Sequence, residues 1–317
     1  MMVRLLNWLM YSSEIGYYIS IFIININNFF THRKYLSDKQ TIKLQFKKAH
    51  GYPLNLKSPK SLNEKMQWLK IYERTPKHTL YADKFAVRKV FEDKFGKEHL
   101  IDIVLQTKNW KDIIAESMPD YPVIIKPNHA SGWYHIVEDK NNADWHKIRT
   151  DCRFWLSQNA YTMQREWQYK NIPRCIIVEK LLLRKDGSIP TNFRIHCFHG
   201  RVGLIALTSY KKNDTLEYQN QKYSRDWDFL KIDWASRKAD LTKIRDPMPI
   251  PRPVTLDKMI KIAEDIAKDF RYVRVDFFDV DGDLYHGEIT FHDGGGYERI
   301  TPFEWDLKLG SMINLRD

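Results

Sequence analysis

The chain has 317 residues, 43% of them hydrophobic and 14% aromatic, and carries a formal charge of +11. That composition excludes a disordered or fibrous chain and allows one large domain, or two to three lobes, around a sizeable core. The positive balance favours an anionic partner, but the basic residues are dispersed and no zinc-finger spacing or RNA-binding signature occurs, which argues against nucleic acid.

Met1 to Phe30 is rich in Leu, Ile, Tyr and Phe, with an apolar run from Ile15 to Ile24 that Asn25, Asn27 and Asn28 interrupt. A spanning helix needs about 20 predominantly apolar residues, and this run is too short and too polar at its end. No small-residue cleavage site follows, which speaks against a secretory signal. The segment reads as an interfacial or core-packed helix. Arg4, Arg33 and Lys34 beside its aromatics suit peripheral contact with the inner, anionic face of a membrane. The three cysteines, Cys152, Cys175 and Cys197, lack CxxC spacing and point to a reduced, cytoplasmic protein.

A basic linker through Lys60 precedes Ser61-Leu62-Asn63-Glu64, a capping-box sequence. The helix behind it spaces Met66, Leu69 and Tyr72 on one apolar face, and its lysines are expected on a solvated face. A second helix is expected from Tyr81 through Phe95, ended by Gly96, with Lys84 near its start. Lys84 could reach a phosphate or be an ordinary surface lysine. A short strand over Leu100–Leu105 and a short helix over Trp110–Glu116 follow.

Val123 to Gly132 reads as an apolar strand delivering Lys126, then a small-residue loop with His129, Ser131 and Gly132, then a strand over Tyr134–Val137. A lysine at a strand end can hold a phosphate, and a small loop lets backbone N–H groups approach it. It is neither a Walker A nor a GxGxxG loop. An amphipathic helix over Asp144–Asn159 and a strand over Arg174–Leu183 come next. The strand breaks its apolar run at Glu179-Lys180, where backbone groups and Glu179 could read an adenine edge. Phe193 to Phe198 alternates, with Arg194 and His196 on one face, and Val202–Thr208 continues the sheet. The stretch 211–253 is basic, aromatic and proline-rich without a regular period, as in a lid or binding loop. Leu256 to Phe270 is a helix with Met259, Ile262, Ala263 and Ile266 inward.

Tyr272 to Gly296 holds the chemistry. Two alternating strands flank the Asp281-Gly282 turn, with Arg274 and Asp276 on one face of the first and Glu288, Thr290 and His292 on one face of the second. A hairpin gathers two carboxylates and an arginine beside Gly294-Gly295-Gly296. Carboxylates on adjacent strands suit Mg²⁺, and an arginine beside them suits a phosphoryl group. A plain surface ion pair is the alternative.

The ordered set SLNEKMQWLKIYER, YADKFAVRK, VIIKPNHASGW, EWQYKN, VRVDFFDVDGDLYHGEITFHDGGGYERITP and EWDLKLG, from Ser61 to Gly310, resembles the ATP-grasp superfamily. More closely, it is similar to the TupA-like ATP-grasp family of bacterial surface-polysaccharide biosynthesis, of teichuronopeptide type. The resemblance implies an α+β, ATP-grasp fold in which two α/β lobes clasp ATP, with an N-terminal helical segment. It divides the chain into 1–60 (N-terminal segment), 61–120 (N-terminal lobe), 121–175 (central lobe) and 176–317 (C-terminal lobe with the 211–253 insertion). It implies that Lys84 and Lys126 hold ATP phosphates under the loop of His129, Ser131 and Gly132, and that Glu179, Lys180 and Leu181 lie at the adenine. Asp276 and Glu288 would bind Mg²⁺. Thr290 stands where the family has an asparagine ligand, so Thr290, water or His292 completes the shell. Arg274 would stabilise the acyl phosphate and tetrahedral species, with Arg194 at the phosphates and Gly295 assisting through its backbone. The usual ribose-binding acid is replaced by Thr191 and Asn192.

The implied activity is an ATP-dependent carboxylate–amine ligase acting through an acyl phosphate. It would join an amino acid or amine to a uronic acid of an acidic capsular or surface glycan. A sugar phosphotransferase on the same fold, or a non-catalytic nucleotide- or glycan-binding protein, are the alternatives.

Overall fold

The computed structural model describes residues 2–209, 219–235 and 250–316. Of the 211–253 stretch, 211–218 and 236–249 lie outside the described residues.

The apolar N-terminus forms two helices, α1 (Met2–Ser12) and α2 (Glu14–Thr31), broken where the Ser13 side chain caps α2 by accepting from the Gly16 N–H. Among the described residues no helix is long and apolar enough to cross a membrane. Helix α3 (Asp38–His50) leads to α4 (Leu62–Tyr72), which starts with the expected capping box. Ser61 Oγ accepts from the Glu64 N–H at 3.2 Å, and Glu64 Oε2 accepts from Ser61 and Lys60 N–H groups. Replacing Ser61 with alanine is expected to cost about 1 kcal/mol in urea unfolding. Lys70 departs from the solvated face expected of it. It is fully buried, because its ammonium donates to the Gly295 carbonyl and lies 4.2 Å from the Tyr297 ring centroid.

The helix expected from Tyr81 is split into α5 (Pro76–Ala82) and α6 (Val87–Phe95). Asp83 makes the break: its carboxylate accepts from the N–H groups of Phe85 and Ala86, a local turn that competes with helix. Gly96 then ends α6 at φ 96°. The helix expected over Trp110–Glu116 is instead two single 3₁₀ turns, Trp110–Asp112 and Ala115–Ser117, with Asn109 capping the first.

Two compact units emerge, each built from separated stretches: 1–41 with 102–181, and 42–101 with 182–317. The first carries a four-stranded antiparallel sheet of β1 (Ile103–Thr107), β2 (Val123–Pro127), β3 (His135–Val137) and β4 (Ile176–Lys180), ordered β1-β4-β2-β3. Helix α7 (Trp145–Ser157), capped by Asp144, closes its core with Ile148, Cys152 and Trp155 against Ile125, Ile176 and Val178. A short helix α8 (Tyr161–Gln164) follows.

The second unit carries a six-stranded sheet. Its strands are β5 (Asn192–Phe198), β6 (Arg201–Ser209), β7 (Gln219–Tyr223) and β8 (Phe229–Leu230), then, past a two-stranded pairing through β9 (Asp233–Ala235), β10 (Tyr272–Val280) and β11 (Asp283–Thr290). The order is β11-β10-β5-β6-β7-β8, and β9 pairs with β12 (Arg299–Thr301). Part of the stretch expected to be irregular is therefore regular. Residues 219–235 add strands because aromatics pack there, the Tyr223 and Trp227 rings stacking at 4.3 Å. Helix α9 (Leu256–Ala267) packs on β5, β6 and β10 with Met259, Ile262, Ala263 and Ile266 buried, as its spacing predicts. Helix α10 (Phe303–Ser311) packs on α4, where Asn63 donates to Asp306.

Candidate active site

Alternation along β5 and β10 sets one face of the six-stranded sheet. Val273, Val275 and Phe277 are buried on one side, and Arg274 and Asp276 point to the other. Pairing puts Arg274 opposite His196 and Asp276 opposite Arg194. The hairpin turns through Asp281 (φ 53°) and Gly282 (φ 98°), both in the left-handed region a tight hairpin demands. On the other flank Arg274 pairs with Thr290 and Val275 with Ile289, but Phe277 pairs with His286. One extra residue therefore sits in β11, a bulge at Gly287-Glu288 opposite Asp276. Gly287 suits it, since a Cβ there would lie 3.3 Å from the Asp276 carbonyl oxygen. A bulge re-aims the side chain it carries, here Glu288.

Arg274 is the hub. Its Nε and Nη2 donate to the two Asp276 oxygens at 2.7 Å each, Nη2 also donates to Glu288 Oε1 at 2.8 Å, and Nη1 donates to Asp293 Oδ1. Lys84 Nζ lies 2.9 Å from the other Glu288 oxygen, and Arg194 Nε lies 3.9 Å from Asp276 Oδ2. Burial opposes ionisation of Glu288, yet Lys84 and then Arg274 outweigh it and hold its pKa well below the usual range. Asp293 is likewise lowered: burial is outweighed chiefly by Arg274. Burial raises Asp276, with Glu288 adding to the rise against Arg274. His196, fully buried, is driven down to about 3 by desolvation and is neutral.

The glycine turn is held from below by α4. Gly294, Gly295 and Gly296 all adopt positive φ, and Gln67 donates to the carbonyls of Gly295 and Gly296 at 3.1 and 2.8 Å. At Gly296 a Cβ would come within 2.4 Å of Gln67 Nε2, so only glycine fits without displacement. The Gly295 N–H donates inside the turn, to the His292 carbonyl at 2.9 Å.

The first unit holds the other candidate residues. Lys126 Nζ lies 2.7 Å from Glu179 Oε2, on neighbouring strands β2 and β4. Lys180 is exposed, with its ammonium 5.7 Å from the Tyr121 ring centroid. The backbone N–H groups of Lys180 and Leu181 donate to the Asp102 and Pro122 carbonyls. His129 is buried, its ring nitrogens 3.2 Å from Asn128 Oδ1 and 3.1 Å from the Trp155 carbonyl, whereas Ser131 and Gly132 (φ 75°) are exposed beyond β2. The structure thus gathers Lys84, Arg194, Arg274, Asp276, Glu288 and Thr290 in one unit, and Lys126 with Glu179 in the other.

Three further side chains of the arginine face were given no role by the sequence reading. Asp293 lay hidden as a turn residue before the glycines. His196 read only as an alternating strand residue. Lys222 lay in a stretch with no visible period. Lys222 pairs in register with Ala206, which pairs with Arg194, so one row runs Asp276–Arg194–Ala206–Lys222 across four strands. Burial pushes the Lys222 ammonium down to about 7, with Asp233 the largest opposing influence. A folded pKa below the unfolded one means that the unfolded chain holds the extra proton between about pH 7 and pH 10. Stability then rises with pH across that window. From pH 7 to 9 the native protein should gain about 2 kcal/mol more in urea unfolding than Lys222→Met does.

A magnesium ion bound with a nucleotide needs few protein oxygens, because phosphates and water complete its shell. Asp276 and Glu288 would supply them: both present an oxygen to the same nitrogen, Arg274 Nη2. Thr290 is buried on the same strand as Glu288 and pairs with Arg274. Among the described residues no group of three or more His, Cys, Asp or Glu side chains is gathered for a metal. The arginine face also shows side-chain atoms without a hydrogen-bond partner among the described residues, namely Asn192 Oδ1, Arg194 Nε and His196 Nε2, on alternate positions of β5.

The α+β architecture with its helical N-terminal segment is the ATP-grasp fold. Residues 64–314 match the family described as TupA-like ATPgrasp, and the chain belongs to that family. No protein of curated function is matched. Among solved structures, the D-alanine–D-alanine ligase of Bacillus anthracis is 15% identical over 67% of this chain and 57% of its own, with a TM-score of 0.36. The D-alanine–D-alanine ligase of Helicobacter pylori is 12% identical over 81% of this chain and 68% of its own, with a TM-score of 0.41. An L-amino acid ligase from Bacillus licheniformis is 12% identical over 83% of this chain and 55% of its own, with a TM-score of 0.41. The chain thus spans less than two thirds of the length of the Bacillus anthracis enzyme.

Proposed function

We propose that this protein is an ATP-dependent carboxylate–amine ligase whose acid substrate is a uronic acid of a bacterial capsular or surface glycan. The observation that carries the reading is Arg274, buried with its guanidinium shared among Asp276, Glu288 and Asp293, in a chain of the TupA-like ATP-grasp family. In the proposed reaction a substrate carboxylate oxygen attacks the γ-phosphorus of ATP and ADP leaves, giving an acyl phosphate. An amine nitrogen then attacks the acyl carbon. Phosphate departs and the nitrogen loses a proton, leaving an amide.

Lys84 and Arg194 neutralise phosphate charge in this reading, and Arg274 steadies the acyl phosphate and the tetrahedral species. Asp276 and Glu288 would hold Mg²⁺, which when bound neutralises phosphate oxygens. An amino acid or another amine supplies the nucleophile. The charge of +11 suits a polyanionic acceptor.

The test incubates the purified chain with Mg-ATP, hexuronates and a panel of amino acids and amines. ADP and phosphate release that requires both a carboxylate and an amine, with an amide seen by mass spectrometry, is the expected result. Phosphate retained on a sugar hydroxyl, or nucleotide binding with no turnover across the panel, overturns it.

A further inference from the structure

The N-terminal hairpin is amphipathic the wrong way round for a helix that packs only on its own protein. In α2 the buried residues are Gly16, Tyr17 and Ser20, whereas Ile15, Ile19, Phe22, Ile26, Phe29 and Phe30 are exposed, Ile15 at 74% and Phe22 at 67%. At 100° per residue those six fall within an arc of about 100°. On α1, Leu5 and Trp8 are exposed at 55% and 65%.

The inward side is tied down by polar and cationic contacts. Arg153 on α7 donates to both Glu14 oxygens at 3.0 Å and lies 3.9 Å from the Tyr17 ring centroid. Tyr11 donates to Asp151 at 2.6 Å. Helices α1 and α2 cross closely because Gly16 and Ser20 are small: a Cβ at Gly16 would lie 2.2 Å from the Leu9 carbonyl oxygen, and Ser20 Oγ donates to the Leu6 carbonyl at 2.9 Å. The hairpin is thus fixed with its apolar stripe turned out. A contiguous stripe of this kind marks an interaction surface.

Charge decides among occupants. From Met1 to Ser37 the basic residues are Arg4, Arg33 and Lys34, and the acid is Glu14, already held by Arg153. The exposed cations Arg4 and Lys34 beside an aromatic-rich stripe complement an anionic lipid surface, with Trp8 and Tyr18 suited to the headgroup layer. Neither α1 nor α2 is long and apolar enough to cross a membrane. We infer that α1 and α2 lie in the interface of an anionic membrane, with the Ile15–Phe30 stripe inserted and Arg4 and Lys34 at the headgroups. The inference rests on no step of the ligase reading.

The test is co-sedimentation of the full chain with vesicles of equal parts phosphatidylglycerol and phosphatidylcholine, against phosphatidylcholine alone. Binding to the anionic vesicles should be at least about tenfold tighter and should weaken with salt. The triple variant Phe22→Ser, Ile26→Ser, Phe29→Ser should lose more than about tenfold, while its circular dichroism and melting midpoint stay native, since all three side chains are exposed. The pair Arg4→Glu, Lys34→Glu should abolish the preference for anionic lipid with the stripe intact. Unchanged binding by the triple variant, failure of the native chain to bind, or a lipid-free dimer in sedimentation velocity that the triple variant dissolves, each overturns the proposal.

Discussion

Replacing Arg274 with leucine is expected to lower the unfolding free energy at pH 7 by about 3–5 kcal/mol, the cost of leaving buried charge without its partner. The guanidinium is the shared counter-ion of Asp276, Glu288 and Asp293. Its loss leaves three carboxylates crowded on one sheet face, with Lys84 on Glu288 and Arg194 near Asp276. The sign with pH is defined. Asp293 and Glu288 are lowered in the native fold, so they contribute stability above the unfolded carboxylate range and lose it as pH falls through their folded values. In the leucine variant Asp293 loses its main cation and Glu288 loses the one that ranks after Lys84, so both shift upward and the penalty shrinks as they protonate. The gap between native and variant in urea unfolding should be widest near pH 7 and narrow towards pH 4. Arg274→Lys restores the charge without the fork and should recover only part of the loss. A leucine variant as stable as the native chain at pH 7 would contradict the hub role.

Asp276→Asn is the sharper probe of chemistry. The side chain keeps its size and its place between Arg194 and Gly287, and Arg274 keeps Glu288 and Asp293. The melting midpoint should therefore shift by only a few degrees. Mg²⁺-dependent ADP formation should fall by about a thousandfold, equivalent to about 4 kcal/mol of transition-state stabilisation. Nucleotide affinity measured without Mg²⁺ should change little, and affinity measured with it should fall. Turnover within tenfold of the native protein would remove Asp276 from the metal site.

Much of the second unit's face was legible in the sequence. A period of two places Arg274 and Asp276 together without reference to anything distant, and Asp281-Gly282 announces the turn that brings Glu288 back. Ser61 and Glu64 likewise announce the start of α4, because a capping box is satisfied within four residues. The bulge was less visible. Gly287 within a strand is its local signal, but the re-aiming of Glu288 depends on which residue of β10 it opposes. Asp83 shows the same limit, since a single carboxylate turning on its own backbone outweighed the helical pattern around it.

What the amino-acid order determined by itself was local: the strand and helix periods, the caps, the hairpin turn, and the residue types able to meet phosphate and Mg²⁺. Tertiary structure alone decided which charges share a partner. Lys70 looked solvated until Gly295 and Tyr297, more than two hundred positions away, closed over it. Lys222 gained its place in a row with Arg194 through two intervening strand pairings. Burial and pairing are sums over neighbours that the fold brings from far along the chain, and no window of sequence contains them.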